Sequence, residues 1–205
     1  MQIRVFGCEI SISFPLAAAL TIFFILDRSG STVICCLSAL CHELGHLGMM
    51  ALFQTKADKI KLGLFDVNIS DNGKYQRSLW AEICVLLAGA AANLLAAGIG
   101  CVLFIFYKEP FLSAFISSNL FLAFFNLLPV EALDGGNIIY LLLLRRIRHA
   151  YAVKILEILS FAVLLPLACG GFYVLLCSRY NFTLLLTSCY LMAIILLKRT
   201  KFSKL

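Results

Sequence analysis

Long apolar runs separated by short polar clusters dominate the chain. Runs at 10–26, 32–53, 79–107, 111–128, 152–177 and 182–197 each approach or exceed the roughly 17 to 25 residues a helix needs to cross a bilayer. The pattern predicts an α-helical polytopic membrane protein with about six transmembrane helices. Asp27 and Arg28 close the first run at once. It lacks the small-residue cleavage site and basic leading region of a signal peptide, with only Arg4 ahead of it, so it reads as a helix. Between the second and third runs the pattern changes. The stretch from Ile60 to Ile69 partly alternates with period two, is too short to span, and is followed by the turn residues Ser70, Asp71, Asn72 and Gly73. It predicts a small β element at the membrane surface. Residues 2–8, where Ile3 and Val5 alternate with Gln2 and Arg4, supply a partner strand, and an open edge there would accept an extended peptide. No repeat, linker or shift in composition divides the chain, so 1–205 reads as a single domain with no PDZ-like insertion and no C-terminal regulatory domain.

Composition strengthens the membrane reading. The chain is 62% hydrophobic and 14% charged, against about 45–50% apolar residues in soluble domains. Of its seventeen basic residues, all but Arg28, Lys108 and Arg179 fall on the side that holds both termini and the loops after the second and fourth runs. By the positive-inside rule that side is cytoplasmic. The net charge of +6 then describes loops facing an anionic leaflet and excludes a nucleic-acid surface. Most of the nine cysteines lie in or beside apolar runs, where cysteine acts as a small hydrophobe. None of them pairs with zinc-ribbon spacing. Cys41, just before the first histidine of the second run, also reads as a packing residue.

Candidate chemistry sits in the second run. His42-Glu43-Leu44-Gly45-His46 places two of the chain's three histidines and a carboxylate in an apolar segment. Ionisable groups are costly there and mark function. Four residues apart on a helix, His42 and His46 lie on one face, offset by about 40° and one turn, close enough to share a metal. Glu43 is adjacent. Neutral imidazoles at this spacing, with a carboxylate beside them to move a proton to and from water, point to a zinc hydrolase.

A catalytic zinc needs a third protein ligand. Candidates inside or beside the runs are Glu82, Glu131, Asp134, His149 and Glu157, and context favours Asp134. It lies in the sequence from Asn126 to Gly136, where Pro129 and the paired glycines interrupt the helix, and irregular backbone at membrane depth is tolerated where it lines a cavity. The second and fourth runs both head toward the cytoplasm. His46 lies about 10 Å short of that end, and Asp134 follows the fourth run, so the three ligands are expected to meet near the cytoplasmic side.

These two segments resemble the motifs of the site-2 protease family of intramembrane zinc metalloproteases, peptidase family M50. His42-Glu43-Leu44-Gly45-His46 matches the first motif. Asn126-Leu127-Leu128-Pro129 followed by Leu133-Asp134-Gly135-Gly136 matches the second. Their placement on the second and fourth of six helices is similar to the branch that contains stage IV sporulation protein FB. The resemblance implies that His42, His46 and Asp134 bind Zn2+, that Glu43 is general base and acid, and that Asn126 supports the site or orients substrate. Gly135 and Gly136 would leave room for backbone and water beside the metal. Two positions depart from the family pattern. Gly89-Ala90-Ala91-Ala92-Asn93 keeps a glycine and an asparagine of the third helix but lacks the usual proline, so Asn93 is either a helix-packing amide or an active-site hydrogen bonder. Ala132 stands where a proline usually precedes Leu-Asp-Gly.

The implied activity is cleavage of transmembrane or membrane-associated proteins near the cytoplasmic face, in regulated intramembrane proteolysis of the kind that serves sporulation or sigma-factor signalling. Expected partners are the lipid bilayer, of a bacterial cell membrane, and a membrane-bound substrate such as a transcription-factor precursor or anti-sigma factor. A regulatory membrane partner or a homo-oligomer is compatible with this reading. The rival from another class is a zinc or metal-ion transporter, which would show ligands stepping along a pathway instead of one compact group. A third reading is a catalytically inactive relative serving as a scaffold, against which all four core residues are present.

Overall fold

A computed structural model describes residues 2–5, 8–54, 59–62, 67–70, 78–178 and 183–202. Among them the chain forms two compact units, Met1–Phe124 and Phe125–Leu205.

The first unit opens with strands β1 (Gln2–Val5) and β2 (Cys8–Ile12), followed by helices α1 (Phe14–Leu26) and α2 (Ser31–Leu52). Strands β3 (Lys59–Leu62) and β4 (Val67–Ser70) precede the long helix α3 (Leu79–Tyr107) and then α4 (Pro110–Asn126), whose last residues belong to the second unit. The strands form one sheet in the order β1-β2-β3-β4. The outer pairs are antiparallel and the central β2–β3 pair is parallel. Its register sets Ile3, Ile10, Ile60 and Ile69 in one cross-strand row and Arg4, Glu9, Lys59 and Ser70 in the next. Rows of apolar and polar positions therefore alternate across the sheet. This pairing differs from the sequence expectation. β1 folds back on β2, and β2, not residues 2–8 as a whole, meets the later strands. The first apolar run is split: Ile10 and Ile12 belong to β2, and the helix begins only at Phe14. A period-two pattern runs straight into a helical one there, and hydrophobicity alone does not mark the join. Pro15 in the first turn does, since proline fits where no helical N–H is needed. The predicted turn at 71–73 lies outside the described residues.

The turn between α1 and α2 is tied by Asp27. Its carboxylate accepts from the Ser29 N–H at 2.8 Å, the Ser29 hydroxyl at 2.7 Å and the Thr32 N–H at 2.5 Å. Those donors hold its acid well below the ordinary carboxylate range, with the Thr32 N–H the largest contributor. Gly30, at φ 77°, supplies the left-handed residue before α2.

Helix α2 packs along α3. Its buried residues are Ile34, Ser38, His42, His46 and Met50, every fourth position, hence a single stripe. Small residues predominate among the buried positions of α3, which are Ala81, Ile83, Val85, Ala88, Gly89, Ala90, Asn93, Ala97 and Gly100, and Ala88, Gly89 and Ala92 lie against α2. Between apolar helices in lipid, association depends on close backbone approach, and small residues permit it. A Cβ on Gly45 would strike the Ala88 carbonyl oxygen and come within 2.7 Å of the Ala92 Cβ.

The second unit holds α5 (Asp134–Leu144), α6 (His149–Ser178) and α7 (Thr183–Phe202). Its core is Val130, Leu164, Leu191 and Ile195, so a residue of the loop before α5 plugs the packing of α6 against α7. Helix α5 was not foreseen. Gly135 and Gly136 read as breakers, but they occupy the first turn, where backbone N–H groups are unpaired in any helix, and eleven residues are too few to register as a span.

Among the described residues three helices, α2, α3 and α6, are long and apolar enough to cross a membrane. Apolar helices of shorter length cover Leu16–Leu26, Pro110–Asn126, Asp134–Leu144 and Thr183–Leu196. Outward-facing apolar side chains are abundant on the long helices, as at Leu95, 69% exposed, and Ile158, 62% exposed. This suits a lipid environment.

Candidate metal centre

The centre of the first unit's site is the imidazole pair on α2. His42 and His46 are both buried, their ring planes at 90° and their Nε2 atoms 3.1 Å apart. His46 Nδ1 lies 2.7 Å from the Val85 carbonyl oxygen on α3. A carbonyl only accepts, so Nδ1 carries the proton and Nε2 presents a lone pair toward His42. Backbone carbonyls commonly orient metal-binding histidines in this way. Tetrahedral zinc with nitrogen ligands at about 2.0–2.1 Å sets neighbouring ligand nitrogens about 3.3 Å apart. The observed separation fits that donor pair.

Gly89 makes the arrangement possible. A Cβ there would sit 2.6 Å from His46 Nε2 and 2.7 Å from both His42 Cε1 and His46 Cε1. Only a hydrogen fits between α3 and the two rings. Glu43, the next residue after His42, is half-buried on the adjoining face of α2.

Asn93 of α3 is fully buried and donates from Nδ2 to the Ser38 carbonyl at 3.4 Å. This contact joins α3 to α2. Asn119 of α4 is also fully buried, and its Nδ2 donates to Ser38 Oγ at 3.0 Å and to the Phe115 carbonyl at 2.9 Å. Ser38 and Asn119 were not anticipated, because serine and asparagine on apolar helices carry no motif.

In the second unit, Asn126 ends α4 and Asp134 begins α5, both half-buried. A carboxylate in the first turn of a helix is favoured by the unpaired N–H groups there. The intervening loop is wound tightly, with Leu128 N–H on Phe125 O at 3.1 Å, Val130 N–H on Leu128 O at 2.8 Å and Leu133 N–H on Val130 O at 2.8 Å. Ser160 of α6 anchors it, accepting from the Glu131 N–H at 2.9 Å while donating to Leu156 O at 2.7 Å. The paired glycines lie flat on this loop. A Cβ on Gly135 would collide with the backbone of Leu127 and Leu128, and one on Gly136 with that of Val130. The room they leave is occupied by loop backbone. Among the other ligand candidates, His149 is exposed and its Nδ1 lies 2.6 Å from the Tyr140 hydroxyl.

Comparison with known proteins adds three findings. The sequence description of peptidase family M50 matches residues 108–167, the stretch from the α3–α4 connection into α6. Stage IV sporulation protein FB of Bacillus subtilis (strain 168) is 28% identical over 134 residues, 63% of this chain and 46% of that protein. The chain is thus similar to site-2 proteases of peptidase family M50. The site-2 protease from Methanocaldococcus jannaschii shares the fold, with a TM-score of 0.70 at 20% identity over 94% of this chain and 91% of that one. The chain spans about half the length of the curated Bacillus relative it matches.

Proposed function

We propose that the chain is an intramembrane zinc endopeptidase that cleaves transmembrane or membrane-associated proteins near the cytoplasmic face. The observation that carries the reading is the His42–His46 pair: two buried imidazoles, Nε2 atoms 3.1 Å apart, on a helix apolar and long enough to span. Asp134 is the proposed third ligand. Two imidazoles and one carboxylate are the donor set of a catalytic zinc that keeps one position open. The ion would supply Lewis-acid chemistry, acidifying water and polarising a peptide carbonyl.

The protein's own residues do the rest. Glu43 takes a proton from the attacking water as its oxygen joins the carbonyl carbon. It returns that proton to the amide nitrogen as the C–N bond breaks, so peptide and water become acid and amine. Asn126 is proposed to hold the substrate backbone. Gly135 keeps the first turn of α5 against its loop and so fixes Asp134. A substrate helix must unwind before cleavage, because its peptide groups are otherwise closed in their own hydrogen bonds.

Both termini are proposed to face the cytoplasm, with six crossings. The sheet supports this: β2 leads into α1 and β3 follows α2, and the two strands are paired, so the start of α1 and the end of α2 lie on one side. Substrates of the transcription-factor-precursor or anti-sigma type, a bacterial cell membrane and a sporulation role belong to the same proposal. So do a regulatory membrane partner or a homo-oligomer. The transporter reading is not favoured, since the remaining histidine, His149, lies exposed beside Tyr140.

The test is direct. Glu43→Gln should retain zinc and lose cleavage of a membrane substrate by about a thousandfold, within the range for a positioned acid–base group. Asp134→Ala should lose bound zinc by elemental analysis. Normal cleavage by the first variant, or full zinc content in the second, refutes the assignment.

A further inference from the structure

Ser38 stands four residues before His42 on the buried stripe of α2, one turn from the first metal-binding candidate. Two helices reach it. Asn93 from α3 donates to its backbone carbonyl at 3.4 Å, and Asn119 from α4 donates to its hydroxyl at 3.0 Å. All three residues are at most 1% exposed. The orientation of each amide is fixed by chemistry. The Nδ2 group of Asn93 faces the Ser38 carbonyl and that of Asn119 faces the Phe115 carbonyl, so turning either amide over would set oxygen against oxygen. In consequence Asn93 Oδ1 and Asn119 Oδ1 are buried without a hydrogen-bond partner.

A buried amide oxygen with no donor opposes stability. A leucine at position 119 would fill similar space among apolar helices without that penalty. The asparagine therefore earns its place through its donor group, whose partner outside its own helix is the Ser38 hydroxyl. Helices in lipid lack the hydrophobic drive that would set their rotation, and directional polar contacts set it instead. We propose that Asn119 is a positioning residue: through Ser38 Oγ it fixes the rotation of α2 and thereby aims the His42 and His46 imidazoles at their common point. The proposal rests on the reading of those histidines as metal ligands. It also extends along α4, because Asn126 lies seven residues beyond Asn119 and so on the same face of that helix.

The experiment uses the full chain, purified in nanodiscs, with Asn119→Leu, Ser38→Ala and the double variant. Zinc affinity is measured by chelator competition, the d–d absorption spectrum is recorded with cobalt in place of zinc, and thermal unfolding is followed for each protein. Positioning predicts that Asn119→Leu weakens zinc binding at least fivefold and alters the cobalt spectrum, while its Tm stays level or rises. It also predicts that the double variant is no weaker than the worse single one, because both act through one contact. A change under fivefold with an unaltered spectrum overturns the proposal, as do losses that multiply in the double variant. Should Asn119→Leu not fold, Ser38→Ala carries the same prediction, since it removes only the acceptor. If the unmodified protein itself binds no zinc, the metalloprotease reading fails, a result separate from any effect of position 119.

Discussion

At Gly89 a single hydrogen separates the backbone of α3 from both imidazoles. Gly89→Ala raises the helix propensity of α3 by about 1 kcal/mol, yet its methyl would overlap the His46 ring. The two effects oppose each other in stability, but only the overlap acts on the metal-binding rings. Helix content should hold, Tm should hold or fall because overpacking typically costs about 1–3 kcal/mol, and zinc affinity should fall at least about tenfold, or ~1.4 kcal/mol, in a chelator titration. The pairing of His42 with His46 was legible in the sequence because a four-residue spacing on one helix is local geometry. Gly89 was legible only as a position shared with a family pattern, and its reason, the close approach of two rings from another helix, appears only when α2 and α3 are crossed. Ser38 and Asn119 had no local signal at all. Their meaning depends on which of many small polar residues on apolar helices end up opposite each other.

Among the elements, the loop between α4 and α5 has the most specific architecture. Val130 fills the core of its unit, the paired glycines admit the loop backbone, and Ser160 caps the Glu131 N–H. Ser160→Ala removes the side-chain acceptor of that half-buried N–H and should cost about 1 kcal/mol. Because the loop sets the start of α5, the loss should appear both as a lowered Tm and as faster hydrogen exchange at Leu133 and Asn137, whose N–H groups bond within the same turn. The long helices were foreseen to within a few residues, since apolar runs of that length have few alternatives. The ends were harder. At Ile10 and Ile12 strand and helix hydrophobicity run together, and at Gly135 and Gly136 the residues that usually stop a helix instead begin one.

For the whole molecule, the proposed orientation makes opposite sides of the membrane distinguishable. Alkaline phosphatase, active only outside the cytoplasm, should be active when fused at the α3–α4 connection near Lys108 and inactive when fused after Leu205. A fluorescent protein at the latter position should fold and emit. The reverse pattern would invert the topology that the basic residues predict.

The parallel pairing of β2 with β3 has a consequence for assembly. The outer pairs of the sheet join neighbours in sequence, and each forms as soon as its own strands exist. The central pair joins segments separated by the whole of α1 and α2, and a parallel pair always requires such a crossover. It closes only when both helices have been threaded and returned to one side, a non-local step that is slow by nature. The central seam therefore cannot close before both helices lie in place, whereas each outer pair needs only its own two strands.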